Sequence, residues 1–336
     1  MTEGVNFASA SAIADLPLAV GPAISATLGR SEGKDMFTAT LVAAGRLSAG
    51  DISSATDRLA ALGCAPTDRA WIEDGKACDI HFAHDPAGAR QTLEALQQPI
   101  DVIVQRTAER RRRLIIADMD STMITVECID ELADYAGIKP QIAAVTERAM
   151  RGELDFEAAL TSRVALLKGL PESAIARCLA ERVEIMPGAR ALVQTVRASG
   201  GYAVLVSGGF TRFAEPVGAK IGFDRVIANV LGIANGVLDG TVARPIIGSH
   251  SKLDALNMAM AQRGVTTCDV IAVGDGANDI PMIEAAGLGV AYHAKPVTRA
   301  ASGAAIVHGD LSVILYAMGI PRRDWAVDPV ASRFNA

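Results

Sequence analysis

Residues 114–122 read LIIADMDST: four apolar residues, then two carboxylates two apart, then a hydroxyl pair. An apolar run this short, ending in acids, predicts a buried parallel strand delivering carboxylates to the end of a sheet. Strand side chains alternate, so Asp118 and Asp120 share a face if the strand persists that far. Two close carboxylates repel each other, and a site that keeps both needs a divalent cation or a shared proton. One can then attack while the other moves protons. That pattern points to an enzyme.

Three further groups offer matching chemistry. SGGF at 207–210 reads either as a flexible turn or as a hydroxyl, Ser207, beside exposed N–H groups that form an anion nest with Gly208. Lys252, near a predicted helix start, either faces solvent or holds a phosphate with its fixed charge. GDGANDIPM at 274–282 supplies Asp275 and Asp279 around Asn278, suited either to helix capping or to an oxygen-ligand set for Mg²⁺. Each group has an ordinary explanation alone; the set does not.

The elements that must position these residues are legible in outline. Short apolar strands alternating with helices from Pro187 onward imply an α/β fold with a doubly wound parallel sheet, whose ligands lie beyond the carboxyl ends of the strands. Asp118, Ser207 and Asp275 each follow such a strand, YAVLVSGG and CDVIAVGDG carrying the last two. VIANVLGI reads as one more strand. Between the first strand and the rest, ECIDELADYAG, KPQIAAVTERAMRG, DFEAALTSRVALLKG and PESAIARCLAER predict a helical insertion at about 126–185. Upstream, the order β-α-β-β-α-β over 35–106 predicts a small α+β unit of the split, ferredoxin-like kind. Residues 1–34, rich in Ala, Ser and Gly, read as a poorly ordered leader, and 107–336 as the catalytic unit.

Composition narrows the class. A hydrophobic fraction of 50% with 21% charged residues is ordinary for a globular chain, and 336 residues suffice for about two domains. A net charge of −6 and 4% aromatic content give nucleic-acid binding no support. The run Arg110 to Arg113 reads as a solvated linker entering a strand. Five scattered cysteines without a C-x-x-C predict reduced thiols, and His81 with His84 lacks partners for a zinc site. Pro17 and Pro22 interrupt the apolar stretch 12–25, and no early Lys or Arg marks a secretory signal, so a cytoplasmic protein without membrane association is expected.

With these residues in view, the sequence resembles the haloacid dehalogenase superfamily of phosphotransferases and, within it, the phosphoserine phosphatases. DMDST, SGGF, Lys252 and GDGAND match the four family motifs in order, over roughly residues 107–320, and DMDSTMITVECIDELA is more specific than the superfamily pattern. The resemblance implies that Asp118 is the nucleophile and Asp120 the general acid/base. It implies Mg²⁺ on Asp118, Asp120 (through its carbonyl) and Asp275, supported by Asp279. Ser207, Gly208 and Lys252 would hold the phosphoryl group, and Asn278 would position substrate.

Substrate choice, by the same resemblance, falls to Glu127 and Arg163, which would read the ammonium and carboxylate of O-phospho-L-serine. Opposite charges against a zwitterion are physically sensible, and an Arg fork suits a carboxylate. Without the motif context, Glu127 is a helix N-terminal acid and Arg163 an exposed helix residue. Met150 and Phe156 stand where the family has apolar pocket residues. The N-terminal unit resembles an ACT-like domain, implying a homodimer contact or an amino-acid sensor. Two other readings stay open: a phosphatase acting on another small phosphomonoester, and an amino-acid-binding regulatory protein.

Overall fold

The computed structural model describes residues 36–96, 98–151, 153–329 and 332–334; the leader expected over 1–34 and the side chain of Met150 lie outside the described residues. The first elements are β1 (Phe37–Ala43), α1 (Ala49–Ala61), β2 (Pro66–Glu73), β3 (Ala77–Phe82), α2 (Pro86–Glu94) and β4 (Ile100–Arg106). Their strands form one antiparallel sheet in the order β2-β3-β1-β4, the arrangement that a split β-α-β-β-α-β chain makes. Local chemistry sets the helix starts. The Ser48 hydroxyl accepts from Asp51 N at 3.2 Å while Asp51 accepts from Ser48 N at 2.8 Å, a reciprocal capping box. Asp85 caps α2 by accepting from Gly88 N, with Pro86 in the first turn where its missing N–H does no harm. Ile52, Leu59 and Leu93 of the helices pack on Leu41, Ile80 and Phe82 of the sheet.

The chain continues through β5 (Leu114–Ala117), then the helices α3 (Cys128–Tyr135), α4 (Lys139–Met150), α5 (Phe156–Leu166) and α6 (Ser173–Arg182). After β6 (Glu184–Ile185) come α7 (Ala189–Ala198), β7 (Tyr202–Phe210), α8 (Thr211–Ile221), β8 (Arg225–Asn229), β9 (Leu231–Ala234) and β10 (Val237–Val242). The remainder is α9 (Ser249–Arg263), β11 (Val270–Gly274), α10 (Ile280–Ala285), β12 (Leu288–Tyr292), α11 (Pro296–Ala301), β13 (Ala304–Ile306) and α12 (Val313–Ala317). Six strands form a parallel sheet in the order β13-β12-β11-β5-β7-β8. β5 is fully buried, as its uninterrupted LIIA requires, and its neighbours lead away in opposite directions. A crevice therefore opens beyond the carboxyl end of β5, between β7 and β11. The architecture is α/β with a doubly wound parallel sheet, four helices inserted after β5 and an antiparallel sheet unit preceding it in the chain.

Three local expectations need correction. β5 stops at Ala117, so Asp118 and Asp120 do not alternate along a strand; the turn after it aims them. VIANVLGI is not one strand: β8 joins the parallel sheet, while β9 turns through Asn235 and Gly236, both at positive φ, into β10. Asn-Gly between apolar runs is a strong signal for a tight hairpin. This hairpin braces the helical insertion, with Gly169 N donating to Leu238 O and Leu238 N to Leu170 O. The arginine run is only half a solvated linker, Arg111 and Arg113 being exposed. Arg110 pairs with Asp79 through both terminal nitrogens, and buried Arg112 donates to the carbonyls of Glu109 and Gly287.

The antiparallel unit is fastened to the parallel sheet by buried polar contacts. Asp101, 2% exposed, accepts from the backbone N–H groups of Val307 (2.8 Å), His308 (3.0 Å) and Gly309 (2.7 Å). Gln105 donates to Ala317 O, and the Tyr316 hydroxyl donates to Glu73. Asp101→Ala leaves three amides without their acceptor, and each hydrogen bond to a charged group is worth about 1.5–3 kcal/mol. Water re-entry recovers part of this, so urea unfolding is expected to show a loss of about 3 kcal/mol; a loss below about 1 kcal/mol would show that the clasp holds little. Among the described residues, no helix is long and apolar enough to cross a membrane.

Candidate active site

Asp118 is the first residue past β5, and its backbone N–H donates to Val273 O of β11. Its carboxylate is 7% exposed: Oδ1 accepts from Met119 N at 2.8 Å, and Oδ2 lies 2.8 Å from Lys252 Nζ. Lys252, in the first turn of α9, is wholly buried and also lies 2.5 Å from Asp279 Oδ1. Burial alone would lower its pKa, but the two carboxylates outweigh that and raise it, so the ammonium is permanent. Asp279 is fully buried, with Oδ2 accepting from Gly276 N. A side chain at Gly274 would put its Cβ 2.4 Å from the Asp279 carboxyl carbon, so only glycine fits there.

The acids carry more negative charge than one lysine offsets. Burial, with Asp118 beside it, lifts the Asp275 pKa to about 6, although Oδ1 accepts from the Thr122 hydroxyl. Asp279 rises to about 7, driven first by burial, then by Asp118 and against the pull of Lys252. Asp118, Asp275 and Asp279 each offer an oxygen within 4.8 Å of the others. Hard oxygen donors at that spacing, with raised pKa values when no cation balances them, fit a divalent metal ion.

Asp120 sits in the turn after Asp118, where Ser121 takes a positive φ of 54°. Its Oδ1 is buried without a hydrogen-bond partner. Burial first, then the charges of Glu127 and Asp118, hold its carboxyl well above the usual range, which favours the protonated form. Ser207 and Gly208 lie in the last four residues of the neighbouring strand β7, the Ser207 hydroxyl accepting from Gly209 N at 2.8 Å. Asn229, unremarked in the sequence, fixes this turn. It is 1% exposed, donates to the carbonyls of Gly208 and Ile247, and accepts from Ile247 N.

The helical insertion supplies the opposite wall. Glu127 immediately precedes α3 but does not cap it; its carboxylate accepts from the Ser121 hydroxyl at 2.7 Å. Desolvation outweighs that hydrogen bond and raises its pKa, with Asp118 and Asp130 adding to the effect. Arg163 on α5 is half-buried, with Nε 3.4 Å from Ala159 O. Phe156, at the start of α5, lies against Gly208 and Gly248, where an added Cβ would meet the ring at 3.2 and 3.1 Å.

All but two of the site residues expected from the sequence meet in one cavity of about 580 Å³, lined by Asp118, Asp120, Glu127, Arg163, Ser207, Gly208, Asp275 and Asn278, with Phe156 at its wall. Lys252 and Asp279 stand behind it. Ser121, Asp130 and Lys295, to which the sequence assigns no role, also line it. Ser121 lies inside a motif already singled out; Asp130 and Lys295 carry no local signal. A larger cavity of about 610 Å³ lies elsewhere, between the antiparallel unit and α12, with none of these acids in its walls.

A cation at the acids, an acid held protonated, and N–H groups at a strand end can together take a phosphoryl group onto a carboxylate. Comparison with known proteins agrees with that chemistry. The pattern of the haloacid dehalogenase-like hydrolase family matches residues 115–284. Phosphoserine phosphatase SerB2 of Mycobacterium tuberculosis is 45% identical over 233 residues, 69% of this chain and 57% of that protein. Phosphoserine phosphatase of Albidiferax ferrireducens is 45% identical over 208 residues, 60% of this chain and 88% of that protein. An unliganded crystal structure of a probable phosphoserine phosphatase from Vibrio cholerae superposes with a TM-score of 0.68 at 33% identity, covering 83% of this chain and 88% of that one. The chain thus spans little more than half of the first of these relatives.

Proposed function

The chain belongs to the haloacid dehalogenase-like hydrolases, and from that premise we propose that it hydrolyses O-phospho-L-serine to L-serine and inorganic phosphate. The observation that carries this reading is the pair Glu127 and Arg163, facing the same cavity as Asp118, Asp120 and Ser207. An anion and a cation on the insertion match an α-ammonium and an α-carboxylate, while the strand ends take the phosphoryl group. A sugar phosphate offers neither charge.

In the first step an Asp118 carboxylate oxygen attacks phosphorus and the bond from phosphorus to the serine oxygen breaks. Asp120, held protonated, gives its proton to the departing oxygen. In the second step the Asp120 carboxylate takes a proton from water, whose oxygen attacks phosphorus and releases Asp118. Ser207, the N–H of Gly208 and the Lys252 ammonium hold the phosphoryl oxygens, and Asn278 orients the substrate beside them. Mg²⁺, held by Asp118, Asp275 and the Asp120 carbonyl, would neutralise charge on the phosphoryl group. Asp279 supports that set from behind through Lys252 and Gly276 N. Residues 107–336 are read as the catalytic unit, with the helices at about 126–185 as its cap. Residues 35–106 are read as an ACT-like unit.

Phosphate release from phosphoserine, phosphothreonine and a sugar phosphate with Mg²⁺ tests the proposal. Phosphoserine should be preferred strongly; preference for the sugar phosphate would assign another substrate, and no turnover at all would leave a binding protein. Arg163→Ala removes charge-assisted bonds worth about 1.5–3 kcal/mol, so kcat/KM for phosphoserine should fall about 10- to 100-fold. Hydrolysis of an aryl phosphate should change by less than about threefold, since it presents no carboxylate to lose. Equal losses on both would give Arg163 a structural task instead.

A further inference from the structure

The lining of the catalytic cavity is unbalanced in charge. Four carboxyl groups besides the protonated Asp120, those of Asp118, Glu127, Asp130 and Asp275, face two cations, Arg163 and Lys295. Arg163 belongs to the cap, whereas Lys295 precedes α11 on the core side, and α11 packs on the turn 277–279 that contains Asn278. Lys295 is exposed, and its ammonium has no ion pair or hydrogen bond among the described residues, its backbone carbonyl alone accepting from Arg299 N. Any phosphomonoester must enter this carboxylate-rich mouth as an anion.

The lysine is nevertheless well placed. His293 N donates to Ile306 O at 2.9 Å, and the His293 ring Nε2 donates to Gly309 O at 2.9 Å. Gly309 in turn belongs to the amide nest closed on Asp101. The segment that carries Lys295 is therefore braced against the stretch 306–309 that Asp101 clasps, which fixes the backbone from which its side chain reaches the cavity.

We propose that Lys295 is a substrate-recruiting residue, the core-side cation that draws the phosphate dianion past the carboxylates and holds it until the strand-end groups take over. This deepens the proposed function, resting on a phosphomonoester substrate but not on its being phosphoserine. A charge that acts on entry changes encounter and binding more than the chemical step. Its effect must also weaken as salt shortens the screening length from about 10 Å at 0.1 M to about 3 Å at 1 M.

The test measures kcat and KM for phosphoserine and for an aryl phosphate at several ionic strengths, in the full chain, Lys295→Gln and Lys295→Arg. The glutamine variant should lose about five- to tenfold in kcat/KM for both substrates at low salt, with kcat within about twofold and a flatter salt dependence. The arginine variant should recover most of the loss. An unchanged kcat/KM and salt slope would overturn the proposal, as would a fall confined to kcat. Loss on the aryl phosphate without any turnover of phosphoserine would uphold Lys295 and reject phosphoserine as the substrate.

Discussion

Asp118→Asn is expected to reduce phosphoserine turnover by a factor on the order of 10⁴ to 10⁶ while leaving the fold in place. The amide keeps the shape of the carboxylate and its oxygen can still accept from Met119 N, as Asp118 Oδ1 does at 2.8 Å. It does not carry the negative charge that makes the oxygen a nucleophile. Lys252 keeps its partner in Asp279 at 2.5 Å, so no buried ammonium is stranded. The charge of Asp118 also raises the pKa values of Asp275 and Asp279, and removing it should ease both toward ordinary values. Phosphate release and acid-quenched labelling with ³²P-phosphoserine separate turnover from the covalent intermediate. The parent should yield a phosphoenzyme stable in acid and labile in base, and the variant none. Retained turnover, or retained label, would move the nucleophile elsewhere.

Much of this site is legible in the sequence because short buried strands end in polar groups. LIIA, AVLV and VIAV are apolar throughout and read as sheet interior, and the residues just past each must emerge at one edge. Pattern alone therefore places Asp118, Ser207 and Asp275. It does not give the acids their unequal environments. Asp279 lies 27 residues from the lysine that neutralises it, and no local sequence feature announces that pair. Asn229 illustrates the same limit, since its work depends on Gly208 and Ile247 arriving from separate segments. The hairpin at Asn235-Gly236 differs, because its signal is present in the sequence while the apolar run before it reads as one strand. Arg110 and Arg112 look like solvated charges until Asp79 of β3 and the Gly287 carbonyl, in the turn before β12, arrive from distant segments. Pattern locates groups on elements; it does not pair them across the fold.

The pairing matters most at Lys252. Lys252→Met preserves the apolar stem and most of the volume but removes the wholly buried cation that contacts both Asp118 and Asp279. Breaking a buried ion pair on one side is worth about 3–5 kcal/mol, because the remaining charge stays desolvated. The loss should also depend on pH in a defined direction. Asp279 already has a folded-state pKa of about 7, against about 3.9 in an unfolded chain. The folded state thus binds more protons than the unfolded state between these values, so stability falls as pH rises through that window. Lysine is one of the influences that lowers the Asp279 pKa, and its removal extends the window upward and steepens the fall. Urea unfolding in chelator at pH 5, 6, 7 and 8 should show the variant approaching the parent at the acid end and losing most at pH 8. Turnover should drop about 10³-fold at every pH, since the positive charge proposed to hold the phosphoryl oxygens is gone. Parallel stability curves for variant and parent would mean that Lys252 does not keep Asp279 ionised, and the support it lends to the metal set would need another source.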